Sequence, residues 1–404
     1  MRIGIVGGGL LGAGAALELA LRGHDIELFE REGACLSQAS RQNEGKVHLG
    51  FVYGHDPSLD TARLMGRGAY TFAPLLQRWM GVDALPLALS SPFHYLVHRD
   101  SLRPPNDLAA FYARVVEMLW DERRRPGAAY LRDDPPPACR RLSAREREAL
   151  TGADIADAYE TSELAVDPRP LACLLRARLA SDPRIDVHLD SAVNRITIGA
   201  DDVIVDVTGP DGARAVRFDH VVNASWDDLL RLDRSAGIEP RGPWSFRYKR
   251  YVRVKGGDWP APPSATIVLG GFGDVVRYDG GDLFLSWYPA GCTGLSSSIR
   301  HPDAADTIAP EHARSLRGTI HAALSALVPA LGDLPDDAVR SAEVEGGVIL
   351  ALGTTDVCDP GSGLHARSAV GPRSFGRYHS VDTGKWTTAP LFAYEVARRI
   401  AGDA

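Results

Sequence analysis

No run in this sequence reaches the roughly 18 uncharged apolar residues that a membrane-spanning helix needs, so no such span is expected. Cysteine is scarce and unpatterned. Cys35, Cys139, Cys173, Cys292 and Cys358 are odd in number and never spaced as C-x-x-C, which argues against a disulfide framework or a zinc site and fits a reducing cytoplasm. Positive charge is not in excess: 45 basic against 52 acidic residues give a formal charge of -7. That leaves no basic stripe for nucleic acid and no polybasic membrane anchor. A secretory leader is not expected either, because Glu18 and several glycines interrupt the apolar run after Arg2. There is no internal repeat.

What is present suffices for a large buried core: 404 residues, 45% of them hydrophobic and 24% charged, enough for one large domain or two sharing a boundary. Arg2 to Val6 reads as a short buried strand, Leu10 to Arg22 has helical spacing, and Asp25 to Phe29 is a second apolar strand, together a βαβ opening. Ser58 to Trp79, Asn106 to Glu122, Pro170 to Ala180, Ser315 to Val328 and Leu391 to Ala401 read as helices. Strands are expected at Ile185 to Leu189, Ala192 to Ile198, Asp202 to Val207 and His220 to Ala224, and an aromatic antiparallel sheet from Tyr248 to Lys255, Ala265 to Leu269 and Leu283 to Tyr288. Arg123 to Pro137, rich in Arg and then in Asp and Pro, reads as a solvent-exposed loop, and Gly270 to Asp274 as a loop between strands.

Gly7-x-Gly9-x-x-Gly12 lies between the first strand and the first helix, and Glu30 ends the second strand. Each part has a physical task. Gly7 permits the tight turn, Gly9 lets backbone approach a pyrophosphate, and Gly12 lets helix and strand pack closely. The helix N-terminus offers amides and partial positive charge to the phosphates, and Glu30 accepts hydrogen bonds from ribose hydroxyls. Leu10, Leu11 and Arg31 beside these positions, and Val193 further along, join the expected cofactor contacts. NAD and FAD share this fingerprint, so the choice rests on the rest of the chain. Ala39 to Gly50 follows where a plain NAD domain would continue into a helix. Near the C-terminus, Asp382-Thr383-Gly384-Lys385-Trp386-Thr387-Thr388-Ala389-Pro390 precedes the last helix. Such a loop presents amides and Lys385 to the pyrimidine end of a flavin, where positive charge stabilises the anionic reduced form.

On these segments the chain resembles the D-amino-acid oxidase superfamily of FAD-dependent oxidoreductases. Asn43-Glu44-Gly45-Lys46-Val47-His48-Leu49-Gly50 is similar to the Asn-Ser-Gly-Val-Ile-His-Ala-Gly segment of its L-2-hydroxyglutarate dehydrogenase branch, and the glycine oxidases are close kin. Val166-Asp167-Pro168 resembles the family's link back into the FAD domain. Val221-Val222-Asn223-Ala224 resembles a strand end of that domain, although Ser225-Trp226 replaces the usual small residue and Gly. Thr383-Gly384-x-x-Thr387-x-Ala389-Pro390 resembles the last FAD-contacting loop. The family's amino-acid oxidases carry an arginine in an Arg-Pro-x-Thr-x-Asp-Gly segment that grips the substrate carboxylate. Glu345 to Gly353 lacks it, which argues against a simple α-amino acid; Arg367, Arg373 and Arg377 are the candidate replacements.

The resemblance implies an α/β architecture: a Rossmann-like FAD-binding domain over 1–90, 150–240 and 340–404, interleaved with a substrate domain on an antiparallel sheet over 91–149 and 241–339. Ser40, Asn43, Gly45, Lys46, Gly384, Lys385, Trp386 and Thr387 are its expected flavin contacts. His48, Tyr251 and Tyr288 are the candidates for the catalytic chamber; His48 is a base, a flavin contact, a covalent attachment point or a structural histidine, and Lys46 is the weaker flavin contact, since lysines commonly send their ammonium to solvent. The expected activity is hydride transfer from a C–N bond of a small polar amine to flavin N5. Oxidation of a C–OH bond, or flavin binding without turnover, are the alternatives. With no second dinucleotide fingerprint, the electron acceptor is external, oxygen or a carrier.

Overall fold

The computed structural model describes residues 1–131, 134–299 and 308–403. Strand β1 (Arg2–Val6), helix α1 (Leu10–Leu21) and strand β2 (Asp25–Phe29) form the expected opening unit. They sit in a six-stranded sheet of order 371–375, 378–382, 220–223, β1, β2, 185–188, parallel except at the first pair. Helix α1 is apolar on all sides, because it is wedged between this sheet and the helices Asp60–Met80 and Ala389–Ala401. Its one acidic residue, Glu18, is fully buried yet satisfied: Arg22, Arg78 and the Trp79 indole donate to it at 2.9–3.0 Å.

A nine-stranded sheet, antiparallel apart from one pair, forms the second layer. It is built around Trp244–Val254, Ser264–Val268, Gly273–Arg277 and Leu283–Trp287. Strands Phe93–His98, Ile155–Thr161 and Glu343–Leu352 also belong to it. The sheet membership of 155–161 and 343–352 therefore departs from the expected domain limits at 150 and 340. A two-stranded ribbon, Lys46–Val47 with Leu164–Ala165, lies where the two layers meet.

Two local readings need correction. Gly273–Arg277 is a strand, so the expected Gly270–Asp274 loop ends early and Asp274 is held in a sheet. The stretch expected as exposed loop around 123–137 contains Tyr130, which is fully buried and donates from its hydroxyl to the Val47 carbonyl at 2.9 Å; Arg132 and Asp133 lie outside the described residues. No described helix is long and apolar enough to cross a membrane.

Candidate active site

A cavity of about 900 Å³ runs from the first glycine turn to the facing wall of the nine-stranded sheet, in the upper range for cofactor and metabolite sites. One end is lined by Gly7, Gly9, Leu10, Leu11, Glu30, Arg31 and Val193. Gly7 has φ +96°, the left-handed turn its position requires. Helix α1 starts at Gly9 without a side-chain cap, so first-turn amides are open to an anion, although Ser40 Oγ accepts from the Leu10 amide at 2.8 Å. A Cβ at Gly9 would lie 3.0 Å from that same Ser40 oxygen, so glycine leaves room for the close approach of the Ser40 hydroxyl. The Glu30 carboxylate accepts from the Gly8 and Glu32 amides at 2.7 and 3.0 Å. Burial nevertheless pushes its pKa up against those bonds. Arg31 is paired with Asp227 at 2.5 Å and with Glu32 at 3.2 Å.

Three predicted contacts stand behind the wall, not on it. Gly12 packs on the turn: a Cβ there would meet the Gly7 carbonyl oxygen at 1.9 Å. Gly45 has φ +64°, and a Cβ would meet the Val166 carbonyl at 1.8 Å, so it lets two backbones cross. Thr387 is fully buried; its hydroxyl accepts from the His48 amide at 3.0 Å and donates to the Lys46 carbonyl at 3.1 Å. It bolts the C-terminal loop to the Lys46–Val47 strand. Asn43 shapes the preceding turn, accepting from the Gly45 amide at 2.6 Å and donating to the Ala39 carbonyl at 2.8 Å. Gly384, Lys385 and Trp386 line the cavity, the Trp386 indole donating to the Ser40 carbonyl at 3.2 Å.

The far end holds a charged cluster. Lys46 does not reach solvent as expected; it is 3% exposed, donates to Asp274 Oδ1 at 2.7 Å and to Thr266 Oγ1, and lies 4.3 Å from the centre of the Phe93 ring. Lys249 approaches Asp274 Oδ2 at 3.6 Å and the Tyr288 ring at 5.3 Å. Although burial opposes ionisation of the Asp274 carboxyl, these two lysines hold it far below the usual carboxylate range. Glu44 lines the cavity too, and its carboxylate makes no hydrogen bond among the described residues. Burial favours its neutral form, but Lys249, Lys385 and Lys46 outweigh that and keep its pKa low. Burial and the nearby Arg367 bring Lys385 down to about 7.

His48, Tyr251 and Tyr288 all line this cavity. His48 is buried beside Tyr53, ring centres 6.0 Å apart, and burial depresses its pKa despite nearby Glu163. Tyr251 stands in the cavity wall: its hydroxyl donates to Glu345 at 2.6 Å and its ring stacks on Phe284 at 4.3 Å. The Tyr288 hydroxyl accepts from Arg247 at 3.4 Å. Of the three arginines considered, Arg367 lines the cavity, whereas Arg373 is paired with Asp233 at 2.7 Å and Arg377 donates to the Asp219 carbonyl at 3.4 Å. Lys249, Asp274, Tyr53 and Glu163 were not singled out from the sequence. A charge inside an aromatic strand, as at Lys249, is the signal that marks a buried ionic site.

The family described as "DAO: FAD dependent oxidoreductase" matches residues 2–398. In fold, the chain is similar to the FAD-bound, dithionite-reduced L-α-glycerophosphate oxidase of Mycoplasma pneumoniae, at 15% identity and TM-score 0.67, covering 99% of this chain and 94% of that one. Glycine oxidase of Geobacillus kaustophilus gives 18% identity and TM-score 0.67, covering 100% and 95%. A stretch of 120 residues is 32% identical to the tRNA 5-methylaminomethyl-2-thiouridine biosynthesis bifunctional protein MnmC of Pseudomonas fluorescens. That match spans 28% of this chain and only 17% of the relative's length.

Proposed function

The chain belongs to the DAO family of FAD-dependent oxidoreductases, and from that premise we propose that it oxidises a C–N bond of a small polar amine and passes the electrons to an external acceptor, oxygen or a carrier. In this reading Gly7, Gly9, Leu10, Leu11, Glu30, Arg31 and Val193 hold the adenosine and pyrophosphate of FAD. Ser40, Asn43, Lys46, Gly384, Lys385 and Trp386 hold its ring end. Bound FAD supplies the two-electron acceptor, taking hydride at N5. The protein's residues orient the donor, exclude water and move its proton. The carrying observation is Glu44, a cavity carboxylate held ionised by its lysine neighbours and without a hydrogen-bond donor among the described residues. It offers an acceptor for an amine N–H, while neutral His48 takes the proton that must leave before the nitrogen lone pair can assist.

One observation favours a second reading, oxidation of a C–OH bond: the same neutral His48 suits removal of a hydroxyl proton. Anaerobic mixing with paired donors that share a carbon skeleton and differ only in NH₂ or OH separates the two. Bleaching of the flavin band by the amine, weakened in Glu44→Gln, supports the C–N reading. Bleaching by the hydroxy partner alone replaces it with the second. No bleaching by any donor points to flavin binding without turnover.

A further inference from the structure

Glu163 is a fully buried carboxylate beside His48, and no part of the reading above uses it. It lies in the turn between Ile155–Thr161 and Leu164–Ala165, with a side chain 0% exposed. One oxygen accepts from the Leu49 amide at 2.7 Å and the other from the Tyr95 hydroxyl at 2.6 Å. Those bonds fix the carboxylate in place. The oxygen shared with Tyr95 also faces His48 Nδ1 at 3.7 Å, short of a hydrogen bond by less than about 1 Å. Nδ1 is fully enclosed and has no other partner among the described residues. The backbone amide of His48 is tied by Thr387.

We propose that Glu163 is the positioning residue for His48: it holds the imidazole as the Nδ1–H tautomer, leaving the Nε2 lone pair for the donor's proton, and stabilises the imidazolium that results. This rests on the proposed oxidation, and it deepens that reading by naming what makes His48 a base. The balance is simple. The donor's C–H bond breaks with its electron pair, which leaves as hydride to the flavin. The N–H (or O–H) bond breaks heterolytically, its electron pair becoming the new C=N (or C=O) π bond and its proton forming a bond to Nε2. Glu163 stays ionised throughout and takes no proton. Burial opposes its ionisation, but His48, Lys46 and the Tyr95 hydroxyl hold its pKa below the ordinary carboxyl value. The other charges acting on the ring are Lys385 and Lys46, both of which disfavour the imidazolium, with Tyr53 edge-on. Glu163 is thus the counter-ion that offsets them.

The test uses the flavin-loaded protein labelled with ¹⁵N in the histidine rings. In the wild type the His48 signals should show Nδ1 protonated and Nε2 bare; the reverse tautomer, which a free histidine side chain prefers, overturns the proposal without any variant having to fold. In Glu163→Gln the pKa of His48 should fall, the acidic limb of donor-driven flavin bleaching should move to lower pH, and the plateau rate should drop on the order of 10- to 100-fold. His48→Asn should lose that limb. A folded Glu163→Gln protein with unmoved ring signals and an unmoved limb also overturns the proposal. If no donor bleaches the flavin, the oxidation reading fails, while the ring signals still decide whether Glu163 sets the tautomer.

Discussion

Asp274 is the residue on which the far wall depends most. Its carboxylate receives Lys46 at 2.7 Å, Thr266 at 3.0 Å and Lys249 at 3.6 Å. Removing one member of such a buried group leaves charges without a counter-ion, which costs more than the intact group contributes. Asp274→Asn should lower stability by about 3 kcal/mol, read as a shifted urea midpoint with unchanged slope. Adding Lys46→Met should recover part of the loss, and purely additive losses would show that the pair is not coupled. Lys385 gives a pH signature. Its folded pKa of about 7 lies below its ordinary 10.5. Between those values the unfolded chain binds more protons than the folded one, so stability should rise with pH across that window. Denaturation of flavin-free protein from pH 7 to 10 checks the sign, and Lys385→Met should flatten the rise.

Among the elements, α1 and the turn before it admit least change. The contact at Gly12 is with backbone, which cannot swing aside as a side chain can. Gly12→Ala must push the helix off β1 at a cost of roughly 1–3 kcal/mol or more, and the displaced turn should release the cofactor. Purified variant lacking flavin absorbance, with a lowered unfolding midpoint, is the expected result; wild-type flavin content would show that the turn tolerates the shift. The same element explains what the sequence made legible. The turn, α1 and Glu30 lie within thirty residues, and their tasks follow from local geometry. Glu163 and Asp274 meet their partners across 114 and 228 residues of chain, a distance over which periodicity carries no signal. Strand Glu343–Leu352 escaped notice for a related reason. It is recognised by its ten-residue pairing with Trp244–Val254, not by alternation of its own residues.

At the scale of the whole molecule, the two sheets share one cavity. The six-stranded layer supplies the glycine turn and Glu30, the nine-stranded layer supplies Lys249 and Asp274, and the Lys46–Val47 ribbon carries His48 between them. Family membership fixes the cofactor and the class of reaction, and we propose that both meet in this cavity. A crystal structure of the flavin-loaded protein is the most direct measurement. The adenosine should lie against Glu30 and the isoalloxazine ring between His48 and the Lys385 loop. A ring system bound outside that chamber, or adenosine remote from Glu30, would contradict it.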